Sequence, residues 1–262
     1  MFPQIQNDTA KHFRSLHVPS NPLVLTNIWD AITANTIASL PGTRALATAS
    51  FAIAAAAGLS DDELDLETNL RAVRVIAKVA ATHNLPLTVD FQDGFGTQLE
   101  EGVRAVIQLG AVGINLEDFG REVGGLHSIE EQCERIRRVM AVAREQGVPD
   151  FAVNARTDAL FAGSDLNEAI ERGKRYLEAG AFNVFIWGGP TRQGWNRDEV
   201  KRASEAFDGR LNVILVRGNV GGLSVSEIAE LGVARISVGP ALMRWSAERI
   251  GEEANNILEG KL

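Results

Sequence analysis

Carboxylates follow two apolar runs of this chain, at the point where each run ends. The first run, Leu85 to Val89, is predicted to be a short buried strand and is followed by Asp90 and Asp93. The second run, residues 112–116, ends in Glu117. A charge delivered to the edge of a core is costly unless a partner balances it. One acidic strand end is explained by a helix cap or an ion pair with arginine, but two such ends favour a divalent-metal site.

An arginine stands at the end of a third apolar run. Arg156 closes residues 151–155 and is followed by Asp158. The planar guanidinium of arginine can bind a carboxylate through two parallel hydrogen bonds. Acids that hold a cation and an arginine that holds an anion together suit a small substrate that chelates a metal and carries a carboxylate. The alternative is that Arg156 forms an ion pair with Asp158 or Glu117.

The elements that must position these residues alternate regularly between strand and helix. The predicted strands are residues 22–27, 44–50, 85–89, 112–116, 151–156, 182–187, 212–216 and 234–238, and helical sequence follows each of them. This alternation predicts parallel βαβ units. Eight units in 262 residues predict an α/β fold of the (β/α)₈ TIM-barrel type, with residues 1–262 forming a single domain. An open doubly wound sheet is the alternative, but no Gly-x-Gly-x-x-Gly follows the first strand.

Catalytic groups of such barrels lie at the carboxyl ends of the strands. Polar residues of this sequence fall at those ends: Asn27, Asp30, Ser50, Asp90, Asp93, Glu117, Arg156, Asp158, Arg217 and Asn219. The sequence therefore predicts one site at the carboxyl rim of the barrel.

Composition narrows the classes of partner. The formal net charge of -8 disfavours a nucleic-acid or membrane-surface partner, and no run approaches the roughly 18 apolar residues of a membrane span. The first residues lack a signal-peptide pattern. Cys133 is the only cysteine, which excludes an intrachain disulfide and fits the cytoplasm, where we expect the protein.

Four motifs occur in an order that is similar to that of a known group of enzymes. They are Asn27-x-x-Asp30-Ala31, Val89-Asp90-x-x-Asp93-Gly94-Phe95-Gly96, Gly113-x-Asn115-Leu116-Glu117-Asp118 and Asn154-Ala155-Arg156-Thr157-Asp158-Ala159. Over residues 20–245 the chain resembles the isocitrate lyase/phosphoenolpyruvate mutase superfamily. Its members cleave or form C–C or P–C bonds beside a 2-oxo or 2-hydroxy carboxylate, and Mg²⁺ stabilises a pyruvate-type enolate.

The resemblance implies a role for individual acids. Asp90 matches the direct ligand of Mg²⁺ (or Mn²⁺), and Glu117 and Asp61 match acids that hold the metal through water. Arg156 matches the arginine that binds the substrate carboxylate. The family usually carries a second acid where this chain has Gln92, which lowers the expected metal affinity unless Asp93 compensates.

The resemblance also implies substrate contacts. The segment Thr48-Ala49-Ser50 matches a loop whose backbone amides hold substrate oxygens, and the Ser50 side chain can donate to the same developing charge. Asn212 matches an asparagine that faces the substrate in some members, although a strand-end turn residue is the equal alternative.

A second departure concerns the proton donor. Isocitrate and methylisocitrate lyases carry a Lys-Lys-Cys-Gly-His loop after the fourth strand, whereas residues 119–127 contain no Cys or Lys. Cys133 lies in the next predicted helix, where we expect it to pack. His127 is the candidate catalytic acid or base, with a surface position beside the helix as the alternative, and Tyr176 is the other candidate.

These features predict a Mg²⁺-dependent lyase or decarboxylase that acts on a small 2-oxo or 2-hydroxy (di)carboxylate through an enolate. The alternatives are a phosphonomutase-like enzyme and a non-catalytic barrel that binds a 2-oxo acid. A Schiff-base aldolase is disfavoured because Lys78, Lys174 and Lys201 fall on predicted helices.

The last helix bears on assembly. Superfamily members are often tetramers in which this helix packs on a neighbouring barrel, so the resemblance implies a homo-oligomer, a dimer or tetramer, with a swapped C-terminal helix. Leu242, Trp245 and Ile250 supply apolar side chains for such packing. The alternative is that the helix closes its own barrel.

Overall fold

Eight parallel strands form the sheet at the centre of the protein. The computed structural model describes residues 3–190, 192, 194–216 and 222–261, so the rim residues Arg217 and Asn219 lie outside it. The strands are β1 (Leu23–Leu25), β2 (Leu46–Ala47), β3 (Leu87–Asp90), β4 (Gly113–Glu117), β5 (Ala152–Thr157), β6 (Asn183–Ile186), β7 (Leu211–Ile214) and β8 (Arg235–Ser237).

The sheet closes into a barrel. Hydrogen-bonded neighbours follow the order β1-β8-β7-β6-β5-β4-β3-β2. The two ends of this order meet where Ile28, just beyond β1, bridges Thr48, just beyond β2. The prediction of a (β/α)₈ barrel is confirmed.

Helices surround the barrel and, apart from α10, bury apolar side chains. They are α1 (Pro3–Ser15), α2 (Ala31–Ala38), α3 (Ser50–Ala56), α4 (Leu66–Thr82), α5 (Leu99–Gln108), α6 (Ile129–Glu145), α7 (Leu166–Glu178), α8 (Arg197–Ala206), α9 (Val225–Glu230) and α10 (Ala241–Leu258). In α4 the buried residues Val73, Ile76, Ala77 and Ala80 recur at helical spacing. Helix α1 covers the amino end of the barrel, where Arg14 Nη2 donates to the Phe151 carbonyl oxygen at 2.8 Å.

The barrel interior is polar as well as apolar. Ile114, Val153 and Val184 are buried in the apolar core. Each has an asparagine directly beside it in sequence: Asn115, Asn154 and Asn183. Successive side chains of a strand point to opposite faces, which brings the three asparagines together inside the barrel. Asn183 Nδ2 donates to Asn154 Oδ1 at 2.8 Å, and Asn154 Nδ2 donates to Asn115 Oδ1.

Two segments fold differently from their prediction. The predicted strand 44–50 is shorter, because Ser50 already begins helix α3, where alanines favour helix over strand. The loop after β4 is an antiparallel ribbon in which Phe119–Gly120 pairs with Gly125–Leu126.

Candidate active site

A cavity of about 500 Å³ opens at the carboxyl ends of the strands. Six residues that the sequence assigned to the site line this cavity: Thr48, Ala49, Ser50, Asp61, Asp90 and Arg156. Parallel strands end at the same rim, which explains how residues more than a hundred positions apart meet there.

Asp90 and Asp61 form the acidic wall of the cavity together with Ser50. Ser50 donates to Asp90 Oδ2 from both its backbone nitrogen and its Oγ, each at 2.9 Å. Ser50 Oγ also lies 3.5 Å from Asp61 Oδ1. Burial raises the pKa of the Asp61 carboxyl, and the charge of Asp90 raises it further. Two carboxylates held this close favour a cation between them.

Gln92 acts on this wall as a hydrogen-bond donor. Its Nε2 donates to Asp61 Oδ1 at 2.8 Å and to the Asp61 carbonyl oxygen at 3.0 Å, and its side chain is almost fully buried. Arg121 Nη2 donates to the same Asp61 carbonyl at 2.6 Å. The amide that replaces the family's second acid therefore orients Asp61.

Arg156 forms the ion pairs that the sequence offered as its alternative and also lines the cavity. Its Nε and Nη2 donate to the two carboxylate oxygens of Asp158 at 2.6 and 2.9 Å, and its Nη1 donates to Glu117 Oε1 at 2.6 Å. Arginine has five N–H donors, so two remain for a ligand. Burial raises the pKa of the Glu117 carboxyl well above its ordinary value, although Arg156 opposes the shift.

An aromatic side chain fixes the guanidinium plane. The Trp187 ring centroid lies 4.1 Å from Arg156 Cζ, a cation–π distance, and Trp187 also lines the cavity. Sequence reasoning missed Trp187 because a tryptophan at a strand end is also an ordinary core residue.

The acidic wall fits a divalent metal held mainly through water. Within the described ranges, no three His, Cys, Asp or Glu side chains are grouped closely enough to hold a metal directly. Mg²⁺ dehydrates reluctantly and commonly takes one or two carboxylates and several waters. Asp90 and Asp61 would be the ligands of such an ion, whereas Glu117 does not line the cavity and instead accepts from Arg156.

Asp93 does not join this wall. Its Oδ1 accepts from the Phe95 backbone nitrogen and its Oδ2 accepts from the Arg121 backbone nitrogen, both at 3.0 Å. It is buried and does not line the cavity. Its carboxylate is used to fix the Gly-aromatic-Gly turn, so its position does not support the predicted role in metal binding.

His127 also lies away from the cavity. Its buried ring accepts at Nε2 from Arg135 Nη1, while its Nδ1 lies 3.2 Å from Glu131 Oε1. A Cβ on Gly120 would lie 2.6 Å from His127 Nε2, so the ring needs glycine at that position of the ribbon. The ribbon turns His127 toward helix α6, which does not support the predicted catalytic role.

The side chains of Tyr176 and Asn212 are buried and form hydrogen bonds within the protein. The Tyr176 hydroxyl donates to Asp118 Oδ2 at 2.6 Å, and burial raises the pKa of this tyrosine further above its ordinary range. Asn212 Nδ2 donates to Ser237 Oγ at 3.1 Å. Neither residue lines the cavity, so their positions do not support the predicted substrate contact of Asn212 or the proton-donor role of Tyr176.

The backbone amides of the Thr48-Ala49-Ser50 loop are engaged within the protein. Thr48 N donates to the Thr88 carbonyl at 3.1 Å, and Ala49 N donates to the Ile28 carbonyl at 3.0 Å. The bonds from Thr48 N and Ala49 N join the end of β2 to its two neighbouring strands. The backbone nitrogen of Ser50 donates to the Asp90 carboxylate and fixes its position. The loop thus positions the acid wall: Ser50 Oγ donates to the Asp90 carboxylate, and Thr48 Oγ1 accepts from the Asp90 backbone nitrogen at 2.8 Å.

Arg235 is the buried cation of the cavity that the sequence prediction omitted. It lies on β8, is 3% exposed and lines the cavity. A signal was available, because an arginine within the otherwise apolar run Ala234-Arg235-Ile236 is costly unless it has a partner.

A (β/α)₈ barrel with acids and arginines around one cavity at its carboxyl end has the arrangement of an enzyme. The sequence profile of the phosphoenolpyruvate phosphomutase family matches residues 13–258. The chain is 33% identical over 187 residues to 2-methylisocitrate lyase of Escherichia coli (strain K12), covering 67% of this chain and 61% of that enzyme. It is 29% identical over 219 residues to 2,3-dimethylmalate lyase of Eubacterium barkeri, covering 80% and 72%.

A solved structure agrees with these relatives. A Burkholderia cenocepacia J2315 protein, provisionally assigned as a phosphonomutase, superposes with a TM-score of 0.84 at 31% identity and covers 97% of this chain and 99% of that one. The chain therefore belongs to the phosphoenolpyruvate phosphomutase family, within the isocitrate lyase/phosphoenolpyruvate mutase superfamily, and is an enzyme of that superfamily.

No helix in the described part of the chain is both long and apolar enough to cross a membrane.

Proposed function

We propose that this enzyme is a divalent-metal-dependent lyase or decarboxylase that acts on a small 2-oxo or 2-hydroxy carboxylate through a pyruvate-type enolate. The observation that carries the proposal is the cavity itself. Its acidic wall of Asp90 and Asp61 faces a guanidinium, Arg156, that has two N–H donors left after its ion pairs. A cation site and an anion site in one cavity fit a ligand that chelates a metal and carries a carboxylate.

Each wall has a distinct task in the proposed reaction. A divalent metal at Asp90 and Asp61, when bound, supplies positive charge that stabilises an enolate oxygen. Arg156 holds the substrate carboxylate in one orientation, and Trp187 keeps the guanidinium plane fixed, so the bond to be broken is aligned. Ser50 Oγ is placed to donate to oxygen atoms beside Asp90.

The cavity lining favours a reaction without a strong general acid. None of the described residues that line it is His, Cys, Tyr or Lys. Decarboxylation, or C–C cleavage whose product takes its proton from water, needs no such side chain in the cavity. The lack of a lining lysine in this part of the chain also argues against a Schiff-base aldolase. We therefore rank decarboxylation or simple C–C cleavage above phosphonate rearrangement.

The decisive experiment is a substrate screen with matched variants. Small 2-oxo and 2-hydroxy mono- and dicarboxylates are incubated with purified protein and Mg²⁺ or Mn²⁺, and pyruvate and CO₂ release are followed. We expect turnover that chelation by EDTA abolishes and that Asp90→Asn reduces by on the order of a hundredfold or more.

Asp93→Asn is the matched control. Asp93 follows the same strand but lies outside the cavity, so Asp93→Asn should keep the metal-dependent rate in whatever fraction of protein remains folded. Equal loss in both folded variants, or metal-independent turnover, would contradict the assignment of the acidic wall.

The competing function is phosphoryl rearrangement, which the match to the phosphoenolpyruvate phosphomutase family favours. ³¹P NMR of phosphoenolpyruvate and phosphonopyruvate incubated with protein and Mg²⁺ would detect interconversion. Interconversion without C–C cleavage of any acid would replace the lyase proposal. Tight binding of 2-oxo acids with no turnover of any compound would leave a non-catalytic binding barrel.

We also propose that residues 1–262 form one domain that assembles into a dimer or tetramer through helix α10. No described residue of α10 is buried, and Trp245, Ile250 and Ile257 are 55%, 69% and 55% exposed. Apolar side chains exposed along one helix favour a second copy as their partner. A cytoplasmic location stays a prediction.

A further inference from the structure

Arg235 is a buried arginine for which the described part of the chain supplies no hydrogen-bond acceptor. Its side chain is 3% exposed, and its Nε has no hydrogen-bond partner within the described residues. No described carboxylate lies within ion-pair distance of it, in contrast to the other buried arginines: Arg156, Arg172 and Arg135 all donate to described acceptors. It nevertheless lines the cavity.

Arg235 is charged at neutral pH. Burial lowers its pKa to about 10, and the charge of Asp90 opposes that shift. Beneath the barrel, burial and the charge of Arg235 lower the pKa of His17 to about 3, so His17 is neutral. Among the residues that the structure describes, Asp90 is the acid that favours the charged form of Arg235, and it lies beyond ion-pair distance.

This balance changes when a cation binds the acidic wall. A divalent ion at Asp90 would neutralise the one described carboxylate that favours the charged form of Arg235. A buried guanidinium without an anion is strongly unfavourable, so the metal-loaded cavity would need a further anion near β8.

Arg235 and Arg156 define two separate anion positions. Arg156 is at the rim end of β5, whereas Arg235 begins β8, three strands away in the barrel order and nearer the floor. A ligand that reaches both guanidiniums must carry an anionic group at each end.

We propose that Arg235 is a specificity-determining residue of this cavity, whose guanidinium binds an anionic group of the substrate other than the one that Arg156 holds. The inference rests on the proposed function for the identity of the group that Arg156 holds. The anion at Arg235 is a carboxylate in a lyase substrate and a phosphonate in a mutase substrate.

The competing explanation is that Arg235 is structural. Its register neighbour Asn212 on β7 has a buried Oδ1 without a partner, and that oxygen and the guanidinium would then stabilise each other within the barrel floor. The two explanations differ in their effect on stability. Removing a structural buried cation lowers the unfolding temperature, whereas removing an uncompensated binding cation leaves it unchanged or raises it.

The test compares malate with 2-hydroxybutyrate, which differ only in a terminal carboxylate or methyl group. Each enantiomer is titrated into Mg²⁺-loaded protein by isothermal calorimetry. We expect the parent to bind one malate enantiomer roughly ten- to a hundredfold more tightly than the matching 2-hydroxybutyrate. Arg235→Met should remove that preference while leaving 2-hydroxybutyrate binding unchanged, and Arg235→Lys should keep part of it.

Arg135→Met is the matched control for loss of a buried arginine. Arg135 is similarly buried but donates to His127 and to the Asp93 carbonyl outside the cavity. Its loss should lower the unfolding temperature and leave the malate preference intact, the opposite of Arg235→Met on both measurements. A third ligand, 2-hydroxy-3-phosphonopropanoate, places a phosphonate at the same position.

The outcomes separate this inference from the proposed function. A malate or phosphonate preference that disappears in Arg235→Met supports the second anion position even if no acid is turned over. An unchanged preference in folded Arg235→Met or Arg235→Lys, equal weakening of both ligands, or a parent without preference overturns it, whether or not the enzyme cleaves 2-oxo acids.

Discussion

Replacing Gln92 by glutamate tests how the acidic wall is assembled. Gln92 Nε2 donates to Asp61 Oδ1 at 2.8 Å, and the side chain is 1% exposed. In Gln92→Glu an oxygen replaces this donor. Two unit charges 2.8 Å apart repel by about 6 kcal/mol at an effective dielectric constant of about 20. Side-chain movement or protonation relieves part of this, so we expect a net loss of roughly 3 kcal/mol in the free energy of unfolding without metal.

Divalent metal should reverse that loss. A cation between the acids turns the added charge from a repulsion into a ligand, and higher ligand charge strengthens Mg²⁺ binding. Ligand at a hundred times its dissociation constant stabilises a protein by about 2.7 kcal/mol. Thermal unfolding with increasing Mg²⁺ should therefore show a larger rise for Gln92→Glu than for the parent, with half of the rise reached at a roughly tenfold lower concentration.

Gln132→Glu is the control for burying a carboxylate in place of an amide. Gln132 is fully buried, its Nε2 donates to the Glu117 carbonyl at 3.2 Å, and it does not line the cavity. This variant should lose stability without extra recovery in Mg²⁺. If both variants respond to Mg²⁺ as the parent does, Gln92 and Asp61 do not border a metal site.

Three further outcomes test the remaining assignments. Arg156→Lys should lower kcat/KM by on the order of a hundredfold, about 3 kcal/mol, because one ammonium cannot replace a guanidinium that binds Asp158, Glu117 and the substrate. Parental kinetics of this variant, on a substrate that the parent turns over, would refute the assignment of Arg156 to the substrate carboxylate. Tyr176→Phe should cost about 1–3 kcal/mol of stability by leaving buried Asp118 short of a donor, with kcat unchanged; a selective loss of kcat would make Tyr176 the proton donor. Light scattering should show a dimer or tetramer, and a monomer at micromolar concentration would contradict assembly through α10.

The sequence predicted the barrel well because its signals are local and repeated. Alternating apolar runs and helical sequence fix the strand order, and the carboxyl-end rule then brings Ser50, Asp90 and Arg156 to one rim without further information. These residues lie at strand ends, where a shift of one or two residues in the predicted boundary does not move them to another region.

Asp93 and His127, whose predicted roles the structure does not support, lie where the chain turns after a strand. Asp93 is three residues beyond the β3 strand end, and the left-handed backbone at Gln92, with φ of 47°, redirects the chain between them. The same carboxylate could face the cavity or the turn, and only the backbone N–H groups of Phe95 and Arg121 decide the direction. His127 depends likewise on ribbon pairing between residues 119–120 and 125–126, which no periodicity in so short a segment predicts.

The acids of the rim differ in whether they have a cationic partner, and this difference supports the proposed cation site. Glu117 and Asp158 share one guanidinium, Arg156, at 2.6 Å each, so each of these acids has a cationic partner within the protein. Among the described residues, neither Asp90 nor Asp61 forms an ion pair, and their hydrogen bonds come from neutral donors on Ser50, Asn115 and Gln92. Neutral donors fix the direction of a carboxylate without cancelling its charge. Rim acids act as ion-pair partners of arginine at Glu117 and Asp158, whereas Asp90 and Asp61 are oriented carboxylates without an ion pair among the described residues, as the proposed metal site requires.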